Sequence, residues 1–102
     1  MKGGADLEQM EAAAQHASAV MKTLGHTDRL MILCNLAEGE RAVGELAAEL
    51  NISQSSLSQH LARMRAEGLV ATRRESQTIY YSLGDGEIRE VIQALYKIFC
   101  PD

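Results

Sequence analysis

The spacing of apolar side chains changes along this chain, and each change marks an element. Over residues 6–24, Leu7, Met10, Ala14, Ala17, Met21 and Leu24 recur every three or four positions, the period of one face of a helix. The polar stretch Gly25-His26-Thr27-Asp28 interrupts that pattern. Thr27 is placed to cap a second helix, which runs to Gly39 and buries Leu30, Leu33, Cys34 and Ala37. A short helix at GELAAEL and a longer one at QSSLSQHLARMRAEG follow, joined by the tight connection Asn51-Ile52-Ser53. Ser53 suits the N-cap of the longer helix and Gly68 its stop.

Beyond Gly68 the period drops to two. LVATRRE and TIYYSL are β-branched and aromatic runs on either side of Ser76-Gln77, which predicts an antiparallel hairpin with Ile79, Tyr81 and Leu83 facing inward. Helical spacing returns after Asp85, a candidate cap, with Ile88, Val91, Ile92, Leu95, Tyr96 and Phe99 forming a wide apolar face. That width implies burial on two sides. Pro101, the one proline, closes the last helix. The order predicts a mainly α, winged helix-turn-helix fold with a two-stranded β wing. It forms a single domain over 1–102: the helix-turn-helix at about 44–67, the wing at about 69–83 and a last helix at about 86–100.

Charge changes the picture. The formal net charge is −4, which argues against a nucleic-acid partner until its distribution is considered. Residues 54–74 carry Arg63, Arg65, Arg73 and Arg74 against Glu67 alone, a local +3 that leaves −7 on the rest. Setting Leu57, Leu61 and Met64 toward the core turns Ser55, Ser56, Gln59 and Arg63 outward, with Gln54, Ser58 and His60 on the flanks and at the N-terminal end. Hydroxyls, amides and a guanidinium on one slim helix face donate to base edges and phosphates in a major groove. Arg73, Arg74 and Gln77 sit near the wing tip, where they reach an adjacent groove or the backbone. Double-stranded DNA is the expected partner. No apolar run approaches the length of a membrane span and the start, MKGGADLEQ, has no hydrophobic signal core, so a cytoplasmic protein with no membrane partner is expected.

LGHTDRLMILCNL, VGELAAELNISQSSLSQHLARMRAEGLV and RRESQTIYYSL together resemble the arsenic-repressor (ArsR/SmtB) family of winged helix-turn-helix repressors over nearly the whole chain. The resemblance implies a homodimer formed by the first and last helices, which binds an inverted-repeat operator and leaves it when an effector binds. Leu7, Met10, Ile92, Leu95, Tyr96 and Phe99 are the expected dimer residues. The family's familiar metal sites are not matched. The segment ERAVGEL lacks the Cys-x-Cys cluster, the last helix has no histidine, and His16, His26 and His60 lie on separate elements. No metal or other cofactor is therefore expected.

Cys34 and Cys100 are the only cysteines. Read as residues alone, they are either core filler, as free cysteines often are, or reactive thiols, a role favoured for Cys100 by its place near the chain end. No strong activating charge stands beside Cys100: Lys97 is one turn away and Asp102 opposes it. Their positions are similar to those in the family's thiol-based subgroup of biofilm growth-associated and sulfide-responsive repressors. That likeness implies a disulfide or polysulfide bridge between the two, made by reactive sulfur species, which releases DNA. The alternative is a related regulator or anti-silencer that responds to general oxidants or to no thiol effector, and, beyond that, a metal sensor. An enzyme is not expected, because no histidine or carboxylate is predictably beside either thiol and no phosphate-cradling loop exists.

Overall fold

The structure, a computed structural model, describes residues 6–100. Helix α1 (Leu7–Leu24) starts where the Asp6 carboxylate accepts the Gln9 amide at 2.7 Å and stops at Gly25. Helix α2 (Thr27–Leu36) is capped by the His26 ring rather than by Thr27, since the imidazole accepts the Asp28 amide at 3.2 Å. Its buried residues are Ile32, Leu33 and Leu36. Leu30 and Cys34 are half-buried and Ala37 is exposed, so the buried stripe is rotated from the expected one.

A two-residue strand β1 (Arg41–Ala42), absent from the sequence pattern, precedes α3 (Val43–Leu50). Asn51 adopts the left-handed conformation at φ 56°, the αL stop that asparagine tolerates. Ser53 then caps α4 (Gln54–Ala66) by accepting the Ser56 amide at 3.2 Å. Strands β2 (Val70–Glu75) and β3 (Thr78–Leu83) form the antiparallel hairpin, with Val70 opposite Leu83 and Glu75 opposite Thr78. The β1 strand pairs with β3, Arg41 opposite Tyr81, so the sheet has three strands in the order β1-β3-β2. Helix α5 (Glu87–Phe99) begins after Gly86, and Asp85 makes no capping bond. Pro101 lies outside the described residues.

The core lies where α2, α3 and α4 meet the base of the hairpin and the start of α5. Leu33, Leu46, Leu57, Leu61, Met64 and Ile92 are fully covered there. Leu83 is buried at the hairpin base and Tyr81 packs on the core, but Ile79, nearer the tip, is 43% exposed because the core does not extend that far. Gly84 closes the base: its amide donates to the Leu69 carbonyl at 2.9 Å, and a Cβ there would collide with the Gly68 carbonyl. Helix α1 contributes one buried residue, Thr23. The Cα radius of gyration is 15.3 Å, above the about 13 Å of a compact chain this long, as expected when a helix stands off the body.

Candidate nucleic-acid interface and paired thiols

Helix α4 presents two faces. Leu57, Leu61 and Met64 are fully buried, which fixes the rotation of the helix and leaves Gln54, Ser55, Ser56, Ser58, Gln59 and Arg63 exposed, as the spacing predicts. His60 differs. It is half-buried on the flank, its ring edge-on to His26 with centroids 4.8 Å apart. Burial, then the neighbouring His26 and Arg29, hold the His60 imidazole below its usual pKa and so favour the neutral ring. At the other end of α4, Arg63 pairs with Glu67 at 3.4 Å, and Glu67 accepts the buried Thr23 hydroxyl at 2.6 Å. This bond ties α1 to the end of α4.

The two wing arginines are not equivalent. Arg73 Nε donates to both carboxylate oxygens of Glu40 at 2.9 and 3.0 Å, its Nη1 reaches Glu75 at 3.3 Å, and its guanidinium lies 4.7 Å from the centre of the Tyr80 ring. The bond from Arg73 lowers the Glu40 pKa, and the same bond raises that of Arg73. Arg74 donates to the Ser76 carbonyl at 3.2 Å and, among the described residues, has no carboxylate partner. Gln77 is exposed at the tip.

Both thiols are free. Cys34 is half-buried against the core on α2, while Cys100 ends α5, exposed, its amide bonded to the Tyr96 carbonyl at 2.9 Å. Desolvation, reinforced by the charge of nearby Cys100, pushes the Cys34 thiol above its ordinary pKa. Helices α2 and α5 are packed together, and Cys100, which follows α5, lies near enough to act on the Cys34 thiol. Of the expected dimer residues, Leu7 (77% exposed), Met10, Tyr96 and Phe99 (73%) are open to solvent and Leu95 is half-buried. Ile92 is the correction: it is 0% exposed, packed into the chain's own core, because the wide face of α5 turns one side inward. A cleft of about 380 Å³ between α1 and α5 is lined by Val20, Met21, Leu24, Ile88 and Val91, with His16 and Glu87 paired at its rim.

Residues 26–72 match the family model described as bacterial regulatory protein, arsR family. The biofilm growth-associated repressor of Agrobacterium fabrum is 47% identical over 96% of this chain and 84% of that protein. The transcriptional activator HlyU of Vibrio cholerae is 43% identical over 93% of this chain and 88% of its own length. The chain belongs to the arsR family. The solved structure of reduced HlyU overlays on this regulator with a TM-score of 0.88, covering 93% of this chain and 100% of that one. A homodimeric winged helix-turn-helix DNA-binding domain from Mycobacterium bovis, 30% identical, overlays with a TM-score of 0.77 over 96% of this chain and 89% of that one.

This ArsR-family chain is thus a winged helix-turn-helix transcriptional regulator. No helix among its described residues is long and apolar enough to cross a membrane. Three features around the site escape sequence reading. Neither the Glu40–Arg73 pair nor the His26–His60 contact has a local signal, because each joins residues more than thirty positions apart. The Thr23–Glu67 bond is equally silent; a lone threonine in an apolar helix face is its one trace.

Proposed function

We propose that this regulator is a thiol-responsive repressor that binds an inverted-repeat operator as a homodimer in the cytoplasm and leaves it when Cys34 and Cys100 are bridged. The observation that carries the reading is the convergence of the chain's two thiols at the α2–α5 junction, one exposed and one half-buried, close enough for one to act electrostatically on the other. Helix α4 enters the major groove with Gln54, Ser55, Ser56, Ser58, Gln59 and Arg63 outward and His60 at its flank. Arg74 and Gln77 reach the neighbouring backbone, and Arg73 joins only where a phosphate displaces Glu40. The second copy packs against Leu7, Met10, Leu95, Tyr96 and Phe99, which covers apolar surface that a lone chain exposes.

Reactive sulfur species are the effector. The Cys100 thiolate attacks the outer sulfur of a persulfide RS–SH, giving Cys100–S–SH and the thiol RSH. Cys34 then attacks the sulfur of Cys100 and expels hydrosulfide. Two protein thiols are oxidised to a disulfide and one persulfide is reduced to RSH and hydrogen sulfide; a second persulfide leaves one extra sulfur in the bridge. The bridge fixes α5, the dimer helix, to α2, which supports α4. Two recognition helices must sit about 34 Å apart to read successive turns of DNA, so a small rotation is enough to lose them. A coupling of about 1–3 kcal/mol lowers operator affinity about 5- to 150-fold.

Binding titrations at one fixed salt concentration test this, since salt alone shifts such affinities. Cys34→Ser and Cys100→Ser each retain operator binding and lose persulfide-induced release. Release that survives in either single variant defeats the two-thiol mechanism. The activator naming of HlyU favours a second reading, in which DNA binding is insensitive to the thiols and the protein counteracts another repressor. Identical operator affinity before and after persulfide treatment selects that reading.

A further inference from the structure

The start of α2 and the flank of α4 bring together three groups that the thiol mechanism does not use. His26 caps α2 through Nδ1. His60 approaches it edge-on from α4, with 61° between the rings. The Asp28 carboxylate, in the first turn of α2, completes the set, and one ligand atom from each of the three lies within 4.8 Å of the others. We propose that His26, Asp28 and His60 form a binding site for a divalent transition metal such as zinc, with water completing its coordination.

The geometry requires little movement. Ligand atoms at about 2.0–2.2 Å from zinc in a tetrahedron stand about 3.3 Å from one another, so the widest pair must close by no more than about 1.5 Å. His26 is exposed and turns freely, while Asp28 and His60 are half-buried and held by their helices. A metal on His26 Nε2 leaves the cap intact; a metal on Nδ1 replaces it. The donor set is selective. Two imidazoles and one carboxylate suit zinc, nickel or copper, whereas magnesium and calcium require a shell of oxygens. Arg29 and Arg63 also act on His60 with positive charge, as does the N-terminus of α2, and these repel a cation held by charge alone. Asp28 offsets part of that field, and bonds to neutral imidazoles supply the rest. The remaining histidine, His16, is engaged elsewhere, with Glu87. The site includes neither ERAVGEL nor α5, the two segments that correspond to the family's familiar metal sites. A metal there ties the recognition helix to α2 and occupies the His60 ring, so it is placed to alter operator affinity independently of the thiols.

The reduced full-length chain, titrated with zinc against a chromogenic chelator, should bind one equivalent per chain, and excess magnesium should not compete. His26→Asn keeps a side chain able to cap α2 and should weaken binding, as should His60→Gln, by more than the about 10- to 100-fold seen when only an outer-shell partner is lost. The double variant Cys34→Ser/Cys100→Ser should bind zinc like the parent, and the cobalt-substituted form of either should lack a thiolate charge-transfer band. In the unsubstituted protein, which does not depend on any variant folding, zinc should shift the ring resonances of His26 and His60 and leave those of His16 in place. Failure to bind an equivalent, loss of binding in the thiol double variant, or a response at His16 in place of His26 and His60 would overturn the site.

Discussion

Two parts of the molecule use similar residues in opposite ways. In the reading unit, α2 to α4 and the hairpin base, Leu33, Leu46, Leu57, Leu61 and Met64 are entirely covered by their own chain. Along α1 and the distal half of α5, Leu7, Met21, Ile98 and Phe99 stand 77, 67, 69 and 73% exposed. The first set fixes a structure; the second leaves apolar surface open, which in the proposed homodimer a second copy covers. The difference separates the residues that fold the chain from those left free for a partner.

Substitutions that exchange the two roles have the largest effects. Leu61→Ala should cost about 2–5 kcal/mol through lost burial and a residual cavity. At about 4–8 °C per kcal/mol for a domain of this size, thermal unfolding should fall by on the order of 10 °C or more. Phe99→Glu should leave the far-ultraviolet circular dichroism spectrum unchanged and shift sedimentation toward the monomer. A monomeric parent protein would abolish the contrast.

Within the reading unit, the two wing arginines differ by less. Arg74→Ala should weaken operator binding and reduce the slope of log affinity against log salt by about 1, as for one lost phosphate contact. Arg73→Ala should change that slope less, because Glu40 and Glu75 already neutralise its guanidinium. Equal slopes for the two variants would show that Glu40 yields Arg73 readily to DNA.

The smallest effect distinguishes the two thiols. Cys100, exposed, should be alkylated first at neutral pH, while the rate at Cys34 should rise about tenfold per pH unit until the solution passes its raised pKa. The fold favours the protonated Cys34 thiol, so that contribution to stability is present at neutral pH and is lost as the pH rises through the folded pKa. Mass-resolved alkylation from neutral to alkaline pH checks the order; Cys34 reacting first would reverse the assignment of exposed and sheltered partner.

The parts of the fold that read directly from the sequence are those with local causes. The caps at Asp6 and Ser53, the period of Leu57, Leu61 and Met64, and the polar pair Ser76-Gln77 each act over a few residues. The two-residue β1 was invisible because it is too short to show alternation and forms only by pairing with Tyr80 and Tyr81. His26 displaced Thr27 as the cap because an imidazole one position earlier reaches the same amide. Ile92 falls among the expected dimer residues because a helix apolar on both sides does not say which side its own chain covers. In the site, the outward face of α4 was legible from its buried stripe. The neutralisation of Arg73 and the trio at His26 were not, since both depend on how distant segments pack.

The Thr23–Glu67 bond gives α1 a mechanical role. At 18 residues the helix is about 27 Å long, and its buried anchor lies near the C-terminal end, beside the end of α4. A second tie, from His16 to Glu87, holds the middle of α1 to the start of α5. The helix therefore braces the end of α4 and the start of α5 from one side, so a load placed on α1 is shared between the recognition helix and the last helix.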